Sequence, residues 1–172
     1  IAGWGSVAGK KEAEGPLKKY FDKIIYDSYD GCDTFEQAES MFQGEALEKA
    51  LERSKIHANE VDCVFAGDLL NQCIGSSFGL MKFGIPYLGQ YGACSTMAQS
   101  LIMAAAAVES GGAEISACVT SSPVSYTHLR AHETKANHIS PRRNGSTAFR
   151  LNTAESAHLP PNGQLRAPGV VF

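Results

Sequence analysis

The sequence predicts an α/β fold built on a parallel sheet, and two observations support that prediction. Short apolar segments typical of buried strands occur at residues 61–66, 85–88 and 115–120. Helical segments lie between them, in the order strand, helix, strand, helix, strand. Because parallel strands need crossover connections, this order places helices over a parallel sheet. We therefore expect one α/β core within residues 1–122.

Two longer helices follow from the spacing of apolar residues. The first begins after Asp33 or Thr34, either of which can cap a helix, and runs to about residue 55. The second, residues 97–110, is apolar on every side, which predicts a central helix that is buried all round. The predicted buried face of the first helix consists of Ala38, Met41, Phe42, Leu47, Ala50 and Leu51.

The remaining segments of this core are less regular. Residues 1–16 are rich in glycine and end in Gly15-Pro16, which predicts turns and loops. Residues 17–29 predict a short helix mixed with loop. A further helix, ending at about residue 83, is expected between the first two strands.

The last part of the chain differs from the core. Residues 1–122 carry nine Lys or Arg and sixteen Asp or Glu, a net charge of −7, whereas residues 123–172 carry six and two, a net charge of +4. Such a split is typical of a basic arm for nucleic acid or an anionic membrane, or of two stretches of different origin. We favour different origins and expect no nucleic-acid partner. With turn signals and no sustained period, residues 123–172 predict a largely irregular tail.

The cysteines and the hydropathy of the sequence argue against disulfide bonds, a zinc site and a membrane-spanning segment. The five cysteines are odd in number, widely spaced and without a C-x-x-C pair, which indicates reduced thiols and no zinc site. We expect no metal and no cofactor. The longest apolar run, residues 101–108, is too short to cross a bilayer, and we expect neither a transmembrane segment nor a signal peptide.

The most informative motif is Gly-Ala-Cys-Ser-Thr at residues 92–96, which places Cys94 between a predicted strand and a predicted helix. The free N–H groups and the dipole of a helix start lower the pKa of a thiol and make it nucleophilic. Gly92 and Ala93 lack bulk, which would let a ligand approach closely. The alternative is a buried structural cysteine, with Ser95 or Thr96 capping the helix.

These residues carry a resemblance to known families. The motif and the Ala-rich helix after it resemble the nucleophile segment of the thiolase and ketoacyl-synthase superfamily. A closer resemblance, in register and order, is to the stage V sporulation protein AD family. It rests on Ala-Gly-Lys-Lys-Glu (8–12), Gly-Pro-Leu (15–17), Phe-Asp-Lys (21–23), Ala-Gly-Asp-Leu-Leu-Asn-Gln (66–72), Tyr-Gly-Ala-Cys-Ser-Thr (91–96) and residues 117–122.

The resemblance implies an incomplete thiolase-like half-domain with a parallel-type sheet and a buried central helix. It implies a sporulation protein that binds dipicolinic acid, without catalysis, in a spore dipicolinate transport system. The implied partners are the membrane subunits of that system, with a homo-oligomer left open. The implied location is the periphery of the spore inner membrane, after synthesis on the cytoplasmic side. Native residues are expected before Ile1 and after Ser122.

The resemblance also suggests which residues hold the ligand. A helix start offers N–H donors to a carboxylate, and Ser95, Thr96, Asn71 and Gln72 add hydrogen-bonding groups. Asp68 and Asn71 follow a strand end, where open α/β sheets place ligand groups. For Asp68 the alternative is helix capping, and for Asn71 and Gln72 it is a polar first helical turn.

Two further functions stay open at this point. One is acyl transfer with Cys94 as the nucleophile, which would need a His, or a His and an Asn, from a second half-domain. The other is a scaffold that only docks on membrane channel subunits. The junction after Ser122 carries a resemblance of another kind, because residues 123–134 resemble translated sequencing-adapter read-through.

Overall fold

The computed structural model describes residues 1–27, 29–70, 73–121 and 169–171. These residues form an α/β arrangement, which confirms the fold class predicted from the sequence. The helices and strands in chain order are β1 Val7–Gly9, α1 Lys10–Ala13, β2 Lys23–Ile25, α2 Phe35–Ser54, β3 Cys63–Gly67, α3 Ile74–Met81, β4 Tyr87–Gly89, α4 Thr96–Glu109, β5 Ile115–Thr120 and β6 Gly169–Val171.

The main sheet has four parallel strands in the order β4-β3-β5-β6. The central strand β3 pairs with β5 in a register that places Cys63 beside Ser116 and Gly67 beside Thr120. Both strands are almost fully buried, as expected for a parallel sheet covered on its two faces. The carboxyl ends of β3 and β5 therefore meet at one edge of the sheet.

Side chains alternate between the two faces of this sheet, and each face has its own helices. Val64 and Ala66 point to the face that α2 and α3 cover, where Leu47 and Leu80 complete a continuous apolar cluster. Phe65 belongs to the opposite face, with Ala104 of α4 and Cys118. This period of two distributes the strand residues between two separate cores.

Helix α2 begins where the sequence predicts. Thr34 is the N-cap, and its hydroxyl accepts a hydrogen bond from the Gln37 N–H at 3.3 Å. The helix ends at Lys55, whose backbone is left-handed. Of the six residues predicted on the buried face, four are buried and Phe42 is half-buried, but the prediction is wrong at Met41, which is 42% exposed. Its place on that face is taken by polar residues, which are described below.

Helix α4 has the predicted position, but the prediction that it is buried all round is wrong. The residues that it buries are small or polar and lie one turn apart: Thr96, Ser100 and Ala104. Its larger residues face outward, with Ile102 67% exposed and Met103 43% exposed. Hydropathy alone indicates burial of the whole helix, whereas in the described residues only one face packs on β3 and β5.

Because only one face of α4 is buried, two substitutions in this helix are expected to change stability by very different amounts. Ala104→Leu adds volume at a fully buried position and is expected to cost about 1–3 kcal/mol of unfolding free energy. Ile102→Lys lies on the exposed face and is expected to change it by less than about 0.5 kcal/mol. Denaturant unfolding measures both. Equal destabilisation by the two substitutions would contradict this arrangement.

Three short strands are absent from the sequence prediction. Residues 1–29 contain β1 and β2, which pair in parallel as a separate two-stranded sheet. Gly169–Val171 forms β6 on the edge of the main sheet, inside a stretch predicted to be irregular. Strands of three residues are too short to show a period, so only their pairing partners reveal them. In the described ranges, no helix has the length and hydropathy needed to span a membrane.

Candidate functional site

The candidate site lies where strands β3, β4 and β5 end. Because the three strands are parallel, their carboxyl ends share one edge of the sheet. Helices α3 and α4 both begin near this edge, after β3 and β4 respectively. Open α/β sheets place ligands at such an edge, close to helix starts. Residues that bind a ligand are therefore expected along this edge.

Asp68 follows β3 directly and is 5% exposed. One carboxylate oxygen, Oδ2, accepts hydrogen bonds from the Ser76 N–H at 2.7 Å and the Ser76 hydroxyl at 2.6 Å. The other, Oδ1, accepts the Leu70 N–H at 2.8 Å. Since Ser76 N is a free donor in the first turn of α3, Asp68 caps that helix. The capping alternative is thus confirmed, and ligand contact by Asp68 stays a prediction.

The turn around Cys94 is a short 3-10 helix, Ala93–Ser95, immediately before α4. Ala93 has a backbone φ of 48°, a left-handed conformation that costs energy for a residue with a Cβ. Ser95 occupies the N-cap position of α4, yet its hydroxyl donates to the Gly92 carbonyl at 2.6 Å instead of capping the helix. The Ser95 capping alternative is therefore wrong.

Gly92 was expected to leave room for a ligand, but in the structure protein atoms occupy the space next to it. A Cβ at Gly92 would lie 2.6 Å from Gln99 Oε1 and 2.8 Å from Ser95 Oγ. The space beside Gly92 is thus filled by the start of α4. The absence of a side chain serves the packing of the turn on the helix.

Thr96 and Ser95 face different surroundings. Thr96 is 1% exposed and lies against Gly67, and its Oγ1 has no hydrogen-bond partner among the described residues. Ser95 is exposed and lines a shallow depression of about 340 Å³ along α4, together with Ala98, Gln99, Ile102 and Met103. The structure therefore brings Thr96 to the end of β3, whereas it leaves Ser95 on the outer face of α4.

Three other predicted positions cannot be placed at the level of side chains. Asn71 and Gln72 lie outside the described residues. For Cys94 the structure describes the backbone, and its side chain lies outside the description. Their roles in ligand binding stay predictions.

A buried polar cluster behind this edge was missed by the sequence analysis. At its centre is Gln43 of α2, 1% exposed, whose Nε2 donates to Ser121 Oγ at 2.6 Å and Ser76 Oγ at 2.9 Å. A longer contact of 3.4 Å reaches the Gly67 carbonyl. The amide thus connects the ends of β3 and β5, although Gln43 and Ser121 are 78 positions apart.

Glu39, one turn before Gln43, is also buried, at 2% exposure. Burial, opposed by a hydrogen bond from Ser121 and assisted by the nearby charge of Asp68, raises the pKa of its carboxyl to about 7. The sequence contains a signal that could have identified Glu39 and Gln43. Glu39 and Gln43 share the helical spacing of Leu47, so they interrupt the apolar face of α2 with two polar residues.

The described cysteines other than Cys94 are poor nucleophiles. Burial raises the pKa of Cys63 and Cys118, and burial together with neighbouring aspartates raises that of Cys32. Cys73 occupies the N-cap position of α3, so Cys94 is not alone at a helix start. However, Cys73 is 1% exposed, and its Sγ lies 3.5 Å from the Gln90 carbonyl that it can donate to.

Metal binding finds no support in this part of the molecule. Across the described residues, no three His, Cys, Asp or Glu side chains come together in a way that could hold a metal ion. The polar groups at the strand ends are amides, hydroxyls and two buried carboxyls.

Solved structures of two enzymes resemble this chain at low sequence identity. One is 3-oxoacyl-[acyl-carrier-protein] synthase III from Aquifex aeolicus VF5, with 18% identity and a TM-score of 0.47 over 51% of this chain and 30% of that one. The other is the priming beta-ketosynthase of the R1128 polyketide biosynthetic pathway, with 18% identity and a TM-score of 0.47 over 73% of this chain and 42% of that one.

Sequence comparison is more specific. The chain is 35% identical over 118 residues to stage V sporulation protein AD of Bacillus subtilis (strain 168), which covers 69% of this chain and 35% of that protein. The chain thus spans about a third of the length of this relative. The model of the stage V sporulation protein AD family matches residues 1–134, so the match extends past Ser122 into the segment that resembles adapter read-through. The resemblance seen in the sequence is confirmed, and the chain belongs to the stage V sporulation protein AD family.

Proposed function

We propose that this protein binds dipicolinate at the carboxyl edge of the main sheet, beside the start of α4, as a non-catalytic component of a spore dipicolinate transport system. Family membership supports a role in sporulation. The observation that carries the ligand proposal is Thr96, whose methyl group lies against Gly67 at the end of β3 and whose buried hydroxyl has no partner among the described residues. A buried hydroxyl without a hydrogen bond is costly, and a ligand carboxylate would satisfy it.

The start of α4 supports the same location. Because the Ser95 hydroxyl turns back to Gly92, it leaves the first N–H groups of the helix free of that cap. Helix starts attract anions, and dipicolinate carries two carboxylates.

Charge opposes this binding at long range. Residues 1–122 carry a net charge of −7, which repels a dianion. Salt screens such a field beyond roughly 10 Å, so donors in direct contact decide the affinity. The capping role of Asp68 helps here, because three hydrogen bonds already occupy its carboxylate.

A substitution at Thr96 tests the site in a full-length protein that carries this segment. Thr96→Val removes the hydroxyl and keeps the shape, and we expect it to weaken dipicolinate binding about tenfold or more, since a hydrogen bond to a charged group contributes about 1.5–3 kcal/mol. The stability of the protein should stay close to that of the wild type, because the lost hydroxyl has no partner in the described structure. Isothermal calorimetry measures the affinity.

Ser100→Ala is the matched control. Ser100 is also fully buried on α4 with an unpartnered hydroxyl, but it lies one turn farther from the site. Its loss should leave affinity unchanged. Absence of dipicolinate binding by the wild-type protein would reject the proposal and favour docking on the membrane subunits of the channel as the whole role. Acyl transfer from a thioester to Cys94 with turnover would favour the enzyme instead.

We further propose that the protein docks on these membrane subunits at the periphery of the spore inner membrane. This part of the proposal rests on family membership. None of the helices in the described residues could itself span a membrane. Co-purification with the membrane fraction of sporulating cells tests it. Loss from that fraction in cells that lack the channel subunits is the expected result.

A further inference from the structure

The buried polar groups of α2 lie behind the candidate site and make no part of the ligand contact proposed above. Gln43 is 1% exposed and Glu39 is 2% exposed, on the helix that covers one face of the main sheet. Burying an amide and a carboxyl is unfavourable unless hydrogen bonds compensate. Their partners lie on three other elements, at the ends of β3 and β5 and in α3.

Gln43 sets the direction of two hydroxyl groups. Its Nε2 donates to Ser76 Oγ and to Ser121 Oγ, so each hydroxyl is left to donate its own hydrogen elsewhere. Ser76 donates to Asp68 Oδ2 at 2.6 Å, and the other oxygen of Asp68 holds the Leu70 N–H at 2.8 Å. A single amide therefore orders the loop after β3 and also the end of β5.

Two acceptors in this cluster remain unpaired in the described residues, namely Glu39 Oε1 and Gln43 Oε1. Both are buried, and they lie four positions apart, the spacing at which side chains meet on a helix. A proton on Glu39 turns one of these acceptors into a donor inside the buried cluster. Among the described residues, the groups that act on the Glu39 carboxyl are the charge of Asp68 and the hydroxyl of Ser121.

We propose that Glu39 and Gln43 are positioning residues of the ligand site, which act through Ser76 and Ser121 to hold the ends of β3 and β5 in the arrangement that binds ligand. The proposal rests on the proposed function, since the site that they position is the dipicolinate site. The raised pKa of Glu39, about 7, means that the carboxyl holds its proton in neutral and mildly acidic solution. Deprotonation adds a second buried negative charge near Asp68, so the cluster loosens as pH rises.

Calorimetry with dipicolinate at pH 6, 7 and 8 tests this in the full-length protein. With a pKa of about 7, the protonated fraction of Glu39 falls about tenfold between pH 6 and pH 8, and affinity should fall by the same factor. The ligand itself stays ionised, because carboxyl groups ordinarily have pKa values below about 5. Glu39→Gln retains a donor at every pH and should flatten the profile.

Two further variants separate positioning from a general effect on the fold. Glu36→Gln makes the same chemical change at an exposed position of α2 and should keep the wild-type profile. Gln43→Met keeps the volume but removes the amide, and should weaken binding at pH 6 by about tenfold while its pH dependence disappears. If Glu39→Gln does not fold, Gln43→Met still decides the question. Parallel profiles for the wild type and either Glu39→Gln or Gln43→Met would overturn the proposal.

Failure of the proposed function has a different signature, which is no dipicolinate binding by the wild type at any pH. In that case, the pH dependence of thermal unfolding without ligand tests the role of Glu39 and Gln43. The folded pKa of Glu39 is raised above its unfolded value of 4.5, so the folded state binds more protons between about pH 4.5 and 7. Stability should therefore fall as pH rises through this window. Glu39→Gln should remove that fall, and an equal fall in both proteins would overturn the role of the pair.

Discussion

Alkylation of the native full-length protein with iodoacetamide is expected to modify Cys94 before the other four cysteines. The turn at Ala93–Ser95 places the Cys94 backbone directly before α4, where the helix dipole favours a thiolate. Burial raises the pKa of Cys32, Cys63 and Cys118, and each unit of difference in pKa changes the thiolate population about tenfold. Peptide mass spectrometry over time measures the five rates.

Cys73 is an internal control for this prediction, because it also lies at a helix start. It is 1% exposed, so reagent access and not helix position should make it slow. Bound dipicolinate should protect Cys94 and leave the rate at Cys63 unchanged. A faster reaction at Cys32 or Cys73 than at Cys94 would contradict the assignment of Cys94 as the activated thiol.

Gly67→Ala is expected to cause the largest loss of stability among single substitutions at the site. A Cβ at this position would lie 2.1 Å from the Gln90 carbonyl oxygen and 2.8 Å from Thr96 Cγ2. Backbone atoms cannot rotate away as a flexible side chain can, so β4 and α4 must shift. We expect a cost of about 3 kcal/mol in unfolding free energy, at the upper end for overpacking. Denaturant unfolding at constant pH measures it.

The same substitution should also weaken dipicolinate binding, because it displaces Thr96 and the end of β3 together. Gly15→Ala is the matched control, since a Cβ there meets only the Glu12 carbonyl at 3.4 Å, an ordinary contact. Its effect on stability should stay within about 0.5 kcal/mol. If Gly67→Ala proved as mild as Gly15→Ala, the close packing of β3 against Gln90 would be wrong.

The longer elements of this fold were predictable from local pattern. The strand expected at residues 115–120 is observed at Ile115–Thr120, and the helix expected after Thr34 is observed at Phe35–Ser54. Apolar periodicity reports burial, and both segments are long enough to show it. Strand β6 is different, because three residues carry no period and its identity depends on pairing with β5.

Helix α4 shows where hydropathy misleads. Its sequence contains many apolar residues on all sides, yet Ser100 and Ala104 pack on the sheet while Ile102 faces outward. Small residues allow close approach of a helix to a sheet, so size selects the buried face here more than hydropathy does. Which face of the helix fits closely depends on the shape of the sheet that it packs on, and the sequence of the helix alone does not give that shape.

The candidate site also combines features that local sequence predicts with contacts that only the folded chain shows. The family motifs, the α/β order and the position of Cys94 between a strand and a helix could be predicted from the sequence, because each motif or element consists of residues close together in the chain. The capping of α3 by Asp68 and the hydrogen bond from Gln43 to Ser121, 78 positions away, are visible only in the folded chain. The parallel pairing of β3 with β5 brings these groups to one edge of the sheet, and burial there requires each polar group to find a partner.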